Sequence, residues 1–212
     1  MKKLEVRKRV EEIGIVAAIR VDSKESALFA GSDYWIDAAT AHEIQLVAEG
    51  PLCKTITGAG QDRNLRAVKT FKFGGSEKGF TVACQVDLTR LGSATPAQFT
   101  VGLELVLNLL APNVPDRYFE FSGGRKPLEW SGVVEGSHLR LADEWQDVAV
   151  EIEAQGASQL WVAPIETVSE SEEGFERVYQ GSQILGVWNV DLGSAQTWRS
   201  ETVLHITAAS GN

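Results

Sequence analysis

The sequence predicts an all-β protein built as a large antiparallel β-sandwich. Apolar residues alternate with polar ones at a period of two along several segments, as in strands that bury one face. Clusters of turn residues containing Gly and Ser separate these segments, and no series of helical segments alternates with them. Because parallel sheets need long crossover connections, this pattern favours stacked antiparallel sheets.

Five segments carry the alternation most clearly, and each is predicted to be a strand. In Gln98–Leu110, Phe99, Val101 and Leu103 fall on one face, whereas Glu104 falls on the other. The other four segments are Phe80–Leu88, Val148–Ile152, Ile184–Leu192 and Trp198–Ile206.

Shorter segments with the same character complete the predicted sheets. They are Leu4–Val10, Gly14–Val21, Arg66–Phe73, Arg117–Phe121, His138–Leu141, Gln159–Ala163 and Phe175–Gln180. The segment Ile36–Ala48 is loosely periodic at helical spacing and is predicted to be a short helix. Neither a Pro/Gly/Ser-rich linker nor a repeat interrupts the chain, so we expect one domain over residues 1–212.

Charge and composition exclude several classes of partner. The 212 residues include 29 acidic and 20 basic side chains, and the net charge of −9 repels a phosphate backbone, so no nucleic-acid partner is expected. No segment has the length of a membrane span, and charges fill the opening residues where an export signal needs apolar ones, so a cytoplasmic protein is predicted. Cys53 and Cys84 are expected to be reduced, half-buried thiols.

Recognisable catalytic motifs are missing from the sequence. It contains no nucleophile elbow, P-loop or dinucleotide fingerprint. His42, His138 and His205 lie far apart, and none has a metal-ligand spacing to another His or Cys, so neither a metal nor a cofactor is predicted. The acidic residues between 166 and 176 are interpreted as a solvated loop and strand edge.

The six tryptophans differ in their phase relative to the aliphatic residues. Trp188 and Trp198 are in phase and are predicted to pack in the core. Trp161 is out of phase with Leu160 and Val162, so its side chain is predicted to point from the opposite face of the sheet toward a groove. The three tryptophans in loop-like contexts, for which core or rim packing is favoured over exposure, are Trp35, Trp130 and Trp145.

Three stretches of sequence resemble a known family. They are FTVGLELVLNLLAPNVPDRYFEF at residues 99–121, LRLADEWQDVAVEIE at 139–153 and VAPIETVSESEEGFERVYQGSQILGVWNVDL at 162–192. Together they resemble the C-terminal β-domain of glycoside hydrolase family 57, the α-amylase and 4-α-glucanotransferase group. The resemblance covers about residues 66–207, and one departure is Glu170, where the family pattern has Gln.

The resemblance implies a galactose-mutarotase-like β-supersandwich. It also implies that catalysis belongs to an N-terminal barrel, whose Glu nucleophile and Asp acid/base have no counterpart in this sequence. The chain is therefore predicted to be a noncatalytic module that binds an α-glucan or other carbohydrate, or docks on a family 57 catalytic barrel.

Five residues are candidates for that binding. Residues 167–176 are predicted to reach toward the partner's active-site cleft, with Trp161 stacking and with Glu166 and Gln180 offering hydrogen bonds. Arg117 and Asn108 are expected to contribute from the neighbouring strand.

Two alternatives remain open. A mutarotase or epimerase needs a His and a carboxylate within reach of a sugar's ring oxygen and O1, and His138 or His205 with a Glu is the available combination. The other alternative is a structural domain whose exposed sheet face mediates homodimerisation.

Overall fold

A computed structural model describes residues 18–20, 26–28, 33–51, 64–91, 98–109, 112–171, 174–192 and 196–210. These residues form fifteen strands, all paired antiparallel, and none of them is helical. The described segments accordingly contain no helix with the length and hydropathy of a membrane span. The predicted all-β antiparallel sandwich is confirmed.

The strands form two sheets. In chain order they are β1 (Ala18–Arg20), β2 (Ser26–Leu28), β3 (Trp35–Ala39), β4 (Glu43–Pro51), β5 (Asn64–Ser76), β6 (Gly79–Leu91), β7 (Gln98–Leu107), β8 (Arg117–Phe121), β9 (Gly124–Pro127), β10 (Gly132–Glu135), β11 (His138–Asp143), β12 (Val148–Ala154), β13 (Gln159–Ser171), β14 (Gly174–Asp191) and β15 (Thr197–Thr207). The six-stranded sheet has the order β10-β13-β14-β7-β1-β2, and the nine-stranded sheet has the order β3-β4-β5-β6-β15-β12-β11-β8-β9.

The core lies between the facing surfaces of the two sheets. On the six-stranded side, Leu160 and Val162 are 1% and 0% exposed, and Val101 of β7 belongs to the same cluster. On the nine-stranded side, Leu141 and Ile152 are fully buried in that cluster. Alternation at period two therefore places every second side chain in the core, as the sequence predicted.

Trp188 packs in the core as predicted, and Trp198 is partly buried against it. Their ring centroids are 5.9 Å apart in an edge-to-face arrangement. The buried indole N–H of Trp188 donates to the carbonyl oxygen of Gln155 at 2.8 Å, so its polar atom is satisfied. A Cβ at Gly186 would lie 2.6 Å from the Trp188 ring, which makes glycine the residue that fits beneath it.

The predicted helix at Ile36–Ala48 is wrong, because this segment forms β3 and β4. Thr40 makes the turn between them, since its hydroxyl oxygen accepts the backbone N–H of Glu43 at 3.1 Å. Pairing of β4 with β5 along the full length of β4 buries Val47 completely. These tertiary contacts outweigh the loose helical spacing of the alanines.

The remaining strand predictions differ in how far the structure tests them. Arg117–Phe121 has the predicted bounds, whereas Phe175–Gln180 and Ile184–Leu192 prove to be parts of one strand, β14, which ends at Asp191. The predicted strand Leu4–Val10, most of Gly14–Val21, and Cys53 lie outside the described residues. Cys84 is a free thiol, as expected, but it is buried rather than half-buried, and burial raises the pKa of this thiol to about 11.

One lysine points into the core side of the nine-stranded sheet. Lys69 is 7% exposed, and its Nζ lies 3.6 Å from the centroid of the Tyr34 ring. Burial lowers the pKa of Lys69 to about 8, because the apolar surroundings disfavour the ammonium form. The buried ammonium charge therefore lowers the stability of the folded state at neutral pH.

We predict that Lys69→Met stabilises the protein by about 2 kcal/mol at pH 7, where the ammonium is charged in both states. Lys69 has a pKa of 10.5 in the unfolded chain, so between pH 8 and 10.5 the unfolded chain keeps the proton that the folded chain has lost. In this range the free energy of unfolding of the wild type therefore rises relative to that of the variant, by about 1.4 kcal/mol per pH unit. Urea unfolding at pH 7 and pH 9.5 measures this difference. The exposed Lys72→Met on the same strand is the control, and an advantage of Lys69→Met that does not change with pH would contradict the prediction.

Candidate functional site

The outer part of β13 and β14 extends beyond the rest of its sheet as a two-stranded arm. We define the arm as residues 166–171 and 174–180, which follow a register irregularity between Ile165 and Glu166. On the inner side of this irregularity, β14 pairs with β7 from Ser182 onward. Within the described residues, the arm strands pair only with each other.

The arm exposes large apolar side chains. Phe175 is 78% exposed, Val168 is 54% exposed and Val178 is 42% exposed. The register pairs Val168 with Arg177 and Glu170 with Phe175, so Phe175 and Val168 share one face, whereas Val178 lies on the other. An exposed apolar surface on a projecting hairpin is typical of a protein contact site.

Polar contacts fix the base of the arm. Arg177 forms an ion pair with Glu166 at 3.3 Å, and Gln180 donates to the hydroxyl of Thr167 at 3.2 Å. The hydroxyls of Tyr179 and Ser182 are 2.7 Å apart, and Ser182 is fully buried. The arm is therefore anchored to the sandwich at one end.

The structure brings three of the predicted site residues together at this base. Glu166 pairs in register with Tyr179, the residue before Gln180. Asn108 follows the end of β7 and is exposed, and its Cβ lies 3.8 Å from the position that a Cβ would take at Gly181. Glu166, Gln180 and Asn108 thus form one neighbourhood.

Trp161 lies on the same strand but on the outer face of the six-stranded sheet. Its half-buried indole N–H donates to Gln159 Oε1 at 3.0 Å. Its register partner is Leu185, which pairs in turn with Glu104 of β7. Burial raises the pKa of Glu104, against a hydrogen bond from Gln183 that lowers it. This face therefore combines one aromatic ring with a partly desolvated carboxyl group.

Arg117 is not on the neighbouring strand as predicted, because β8 belongs to the nine-stranded sheet. Its Nε donates to Asp143 Oδ2 at 2.7 Å, and the Asp143 side chain is 0% exposed. Burial pushes the pKa of Asp143 upward, but the hydrogen bonds from Arg117 and from the backbone N–H of Gln146 outweigh it and lower the pKa. The Arg117 guanidinium is therefore engaged in a buried ion pair with Asp143.

Trp145 is also not where the sequence predicted it. It is 79% exposed rather than packed at the rim, and it occupies the turn between β11 and β12. Of the other two tryptophans in this group, Trp35 is 45% exposed, and Trp130 packs on Phe121 with ring centroids 5.4 Å apart. The sequence signal for this exposure was the polar stretch around Trp145, since Asp143, Glu144, Gln146 and Asp147 are typical of an exposed turn.

An open groove lies next to that turn, and we call it the end groove. One wall is the β5–β6 turn, residues 75–80; the other is Asp147, and the floor is residues 206–208, where β15 ends. Its volume is about 710 Å³. Phe80, which is 44% exposed, adds an aromatic ring to the first wall.

A histidine and a carboxylate meet on the outer face of the nine-stranded sheet. His138 Nε2 lies 2.9 Å from Glu151 Oε2, and the other oxygen of Glu151 accepts Arg140 Nε at 3.1 Å. His205 is the register partner of Glu151 on β15. The structure thus joins one histidine of the mutarotase alternative, His138, to a carboxylate, whereas His205 Nδ1 lies 3.3 Å from the hydroxyl of Thr81.

No cluster of three or more His, Cys, Asp or Glu side chains with the geometry of a metal site is present among the residues that the structure describes.

Comparisons with known proteins agree with the fold. Residues 10–202 match the family described as "Alpha-amylase/4-alpha-glucanotransferase, C-terminal". Alpha-amylase 1 of Dictyoglomus thermophilum is 41% identical over 110 residues, which are 51% of this chain and 16% of that protein. The chain thus spans about a sixth of the length of this relative.

A solved structure shows the same architecture. The GalM/aldose epimerase homologue from C. elegans superposes with a TM-score of 0.60 and 10% identity, over 91% of this chain and 78% of that one. The 4-alpha-glucanotransferase from Thermococcus litoralis has a TM-score of 0.49 and 19% identity, over 82% of this chain and 22% of that one. At such identities the likeness concerns the fold, which is galactose-mutarotase-like. Since the family match extends over most of the sequence, this chain belongs to the C-terminal domain family of α-amylases and 4-α-glucanotransferases.

Proposed function

We propose that this protein is a noncatalytic module that docks through its arm on the catalytic barrel of an α-amylase or 4-α-glucanotransferase. The observation that carries the proposal is the arm itself, which projects from the sheet and exposes Phe175, Val168 and Val178. The family match supports the identity of the partner, because the matched domain is the C-terminal part of such proteins.

An unsupported hairpin of this kind needs a partner surface. Two-stranded hairpins are marginally stable in water unless a third strand or another element covers them. Phe175 and Val168 lie on one face, and contact with a catalytic barrel would remove both from water. Burial of two such side chains stabilises a complex by about 3–6 kcal/mol before the costs of association.

The polar residues at the base fit the same surface. Asn108 is exposed there, and Glu166 and Gln180 hold the strands of the arm together through Arg177 and Thr167. In this proposal they border the docking surface, and Trp161 lies further along β13, on the outer face of the sheet. Arg117 supports the other sheet through Asp143 and does not contact the partner.

We predict that the double substitution Phe175→Ser and Val168→Ser raises the Kd for a family 57 barrel from the same genome by at least about tenfold. The apolar contact is lost, whereas the fold is not, because both side chains are exposed. Isothermal titration measures the Kd. Ile36→Ser is the matched control, since Ile36 is 66% exposed on the edge strand β3 and should leave the Kd unchanged.

Equal weakening by the arm variant and by Ile36→Ser would contradict docking through the arm. A dimer of the chain alone that dissociates in the arm variant, detected by light scattering, would instead support the homodimer alternative.

A second candidate is a mutarotase-like activity, and the specific observation in its favour is the 2.9 Å contact between His138 and Glu151. A hydrogen-bonded imidazole and carboxylate are suited to proton transfer at a sugar's anomeric centre. The pair lies on an exposed sheet face, since the His138 side chain is 59% exposed. Arg140 competes for the same carboxylate, and for both reasons docking remains the leading proposal.

For this second candidate, we expect the protein to accelerate the mutarotation of fresh α-D-glucose or α-D-galactose, and Glu151→Gln to lower that acceleration by about 100-fold. Polarimetry measures the rate. Glu49→Gln is the control, because Glu49 forms a comparable ion pair with Arg66 at 3.3 Å on the same sheet. A rate equal to that of buffer would end this candidate for these sugars.

A further inference from the structure

The turn that carries Trp145 is held rigid from both sides. Asp143 is buried and paired with Arg117, and its other oxygen, Oδ1, accepts the backbone N–H of Gln146 at 2.9 Å. On the far side, Asp147 Oδ1 accepts the backbone N–H of Ser210 at 2.9 Å and its hydroxyl at 2.7 Å. Asp147 itself has a φ of 53°, the left-handed conformation that Asp tolerates in tight turns.

This rigid turn presents a large aromatic ring to water. Trp145 is 79% exposed, although burying a Trp side chain is among the most favourable contributions that a core residue makes. A ring held outward by a preorganised backbone loses little conformational entropy when a ligand stacks on it. Such an arrangement favours a binding role for Trp145.

The end groove begins at the same turn. Asp147 forms one of its walls, so Trp145 stands at the tip of the hairpin that borders it. The two walls belong to strands on either side of β15, which places them about 10 Å apart, or two strand spacings. Ser76, Lys78 and Thr207 supply polar groups, and Phe80 supplies a second exposed ring.

The chemistry of this lining selects the class of ligand. Lys78 and Glu77 on one wall and Asp147 on the other carry charges of both signs, so the groove does not attract a strongly charged ligand of either sign. Aromatic faces combined with hydroxyl, ammonium and carboxylate groups suit a neutral chain of sugar rings, which offers C–H faces and hydroxyl groups together. The groove is shallow and open to solvent, which leaves room for a ligand larger than a single sugar ring.

We propose that Trp145 and the end groove form a surface binding site for an α-glucan chain, with a sugar ring stacked on Trp145 and neighbouring hydroxyls bonded by Lys78 and Asp147. The choice of an α-glucan over another neutral polysaccharide rests on the proposed function, because it takes the substrate class of the catalytic partner. The site itself is distinct from the arm and from the five binding residues that were predicted from the sequence.

Affinity electrophoresis of the full chain in native gels that contain amylopectin tests the proposal. We expect amylopectin to retard the wild-type protein, and Trp145→Ala to lower the apparent affinity by about tenfold, because stacking on the ring is lost. Trp145→Phe should keep most of the affinity, and Trp35→Ala, which removes a second exposed tryptophan from the edge strand β3, should keep all of it. A gel with the β-glucan laminarin identifies the linkage preference.

Each other result has a defined meaning. Absence of retardation in the wild type, or equal loss in Trp145→Ala and Trp35→Ala, overturns the proposal. Weaker binding of Trp145→Ala to the catalytic barrel, with unchanged retardation by amylopectin, also overturns it and assigns the turn to protein docking. The double variant Phe175→Ser and Val168→Ser keeps Trp145. Its retardation by amylopectin therefore tests this site independently of docking through the arm.

Discussion

The pairing of β13 with β14 is the interaction on which the rest of the structure depends. Its register extends from Gln159 opposite Val187 to Ser171 opposite Gly174, with one irregularity at Ile165 and Glu166. On the inner side of that point the two strands lie within their sheet and bury Leu160 and Trp188 in the core. Beyond it the same ladder continues as the exposed arm, so burial of one half holds the other half in place.

Among the described residues, buried charges occur at two points in the core. At the first, Lys69 is a buried cation, which the structure tolerates through the Tyr34 ring and a lowered pKa. Arg117 and Asp143 are instead a buried pair, in which the desolvation of both charges offsets much of their attraction, but which holds a local conformation. Here that conformation is the β11–β12 turn, because Asp143 also accepts the turn's backbone N–H groups.

The sequence predicted what depends on local alternation and missed what depends on long-range pairing. The strand Arg117–Phe121, the core position of Trp188 and the packing of Trp198 against it follow from period-two burial alone. The β3–β4 hairpin could not be predicted, because β4 is defined by its pairing with β5, and β3 by its pairing with β4. Likewise, the proximity of His138 to Glu151 and the burial of Arg117 arise from the register of β8, β11 and β12, which no single strand encodes.

The arm and the end groove are built on different sheets. The arm extends the six-stranded sheet, whereas hairpin tips of the nine-stranded sheet form the groove. Substitutions in one therefore leave the other intact, and their effects should add. Under the two proposals, a barrel held by the arm and a glucan held by the groove are tethered to one domain, which raises the local glucan concentration at the barrel and thereby its turnover.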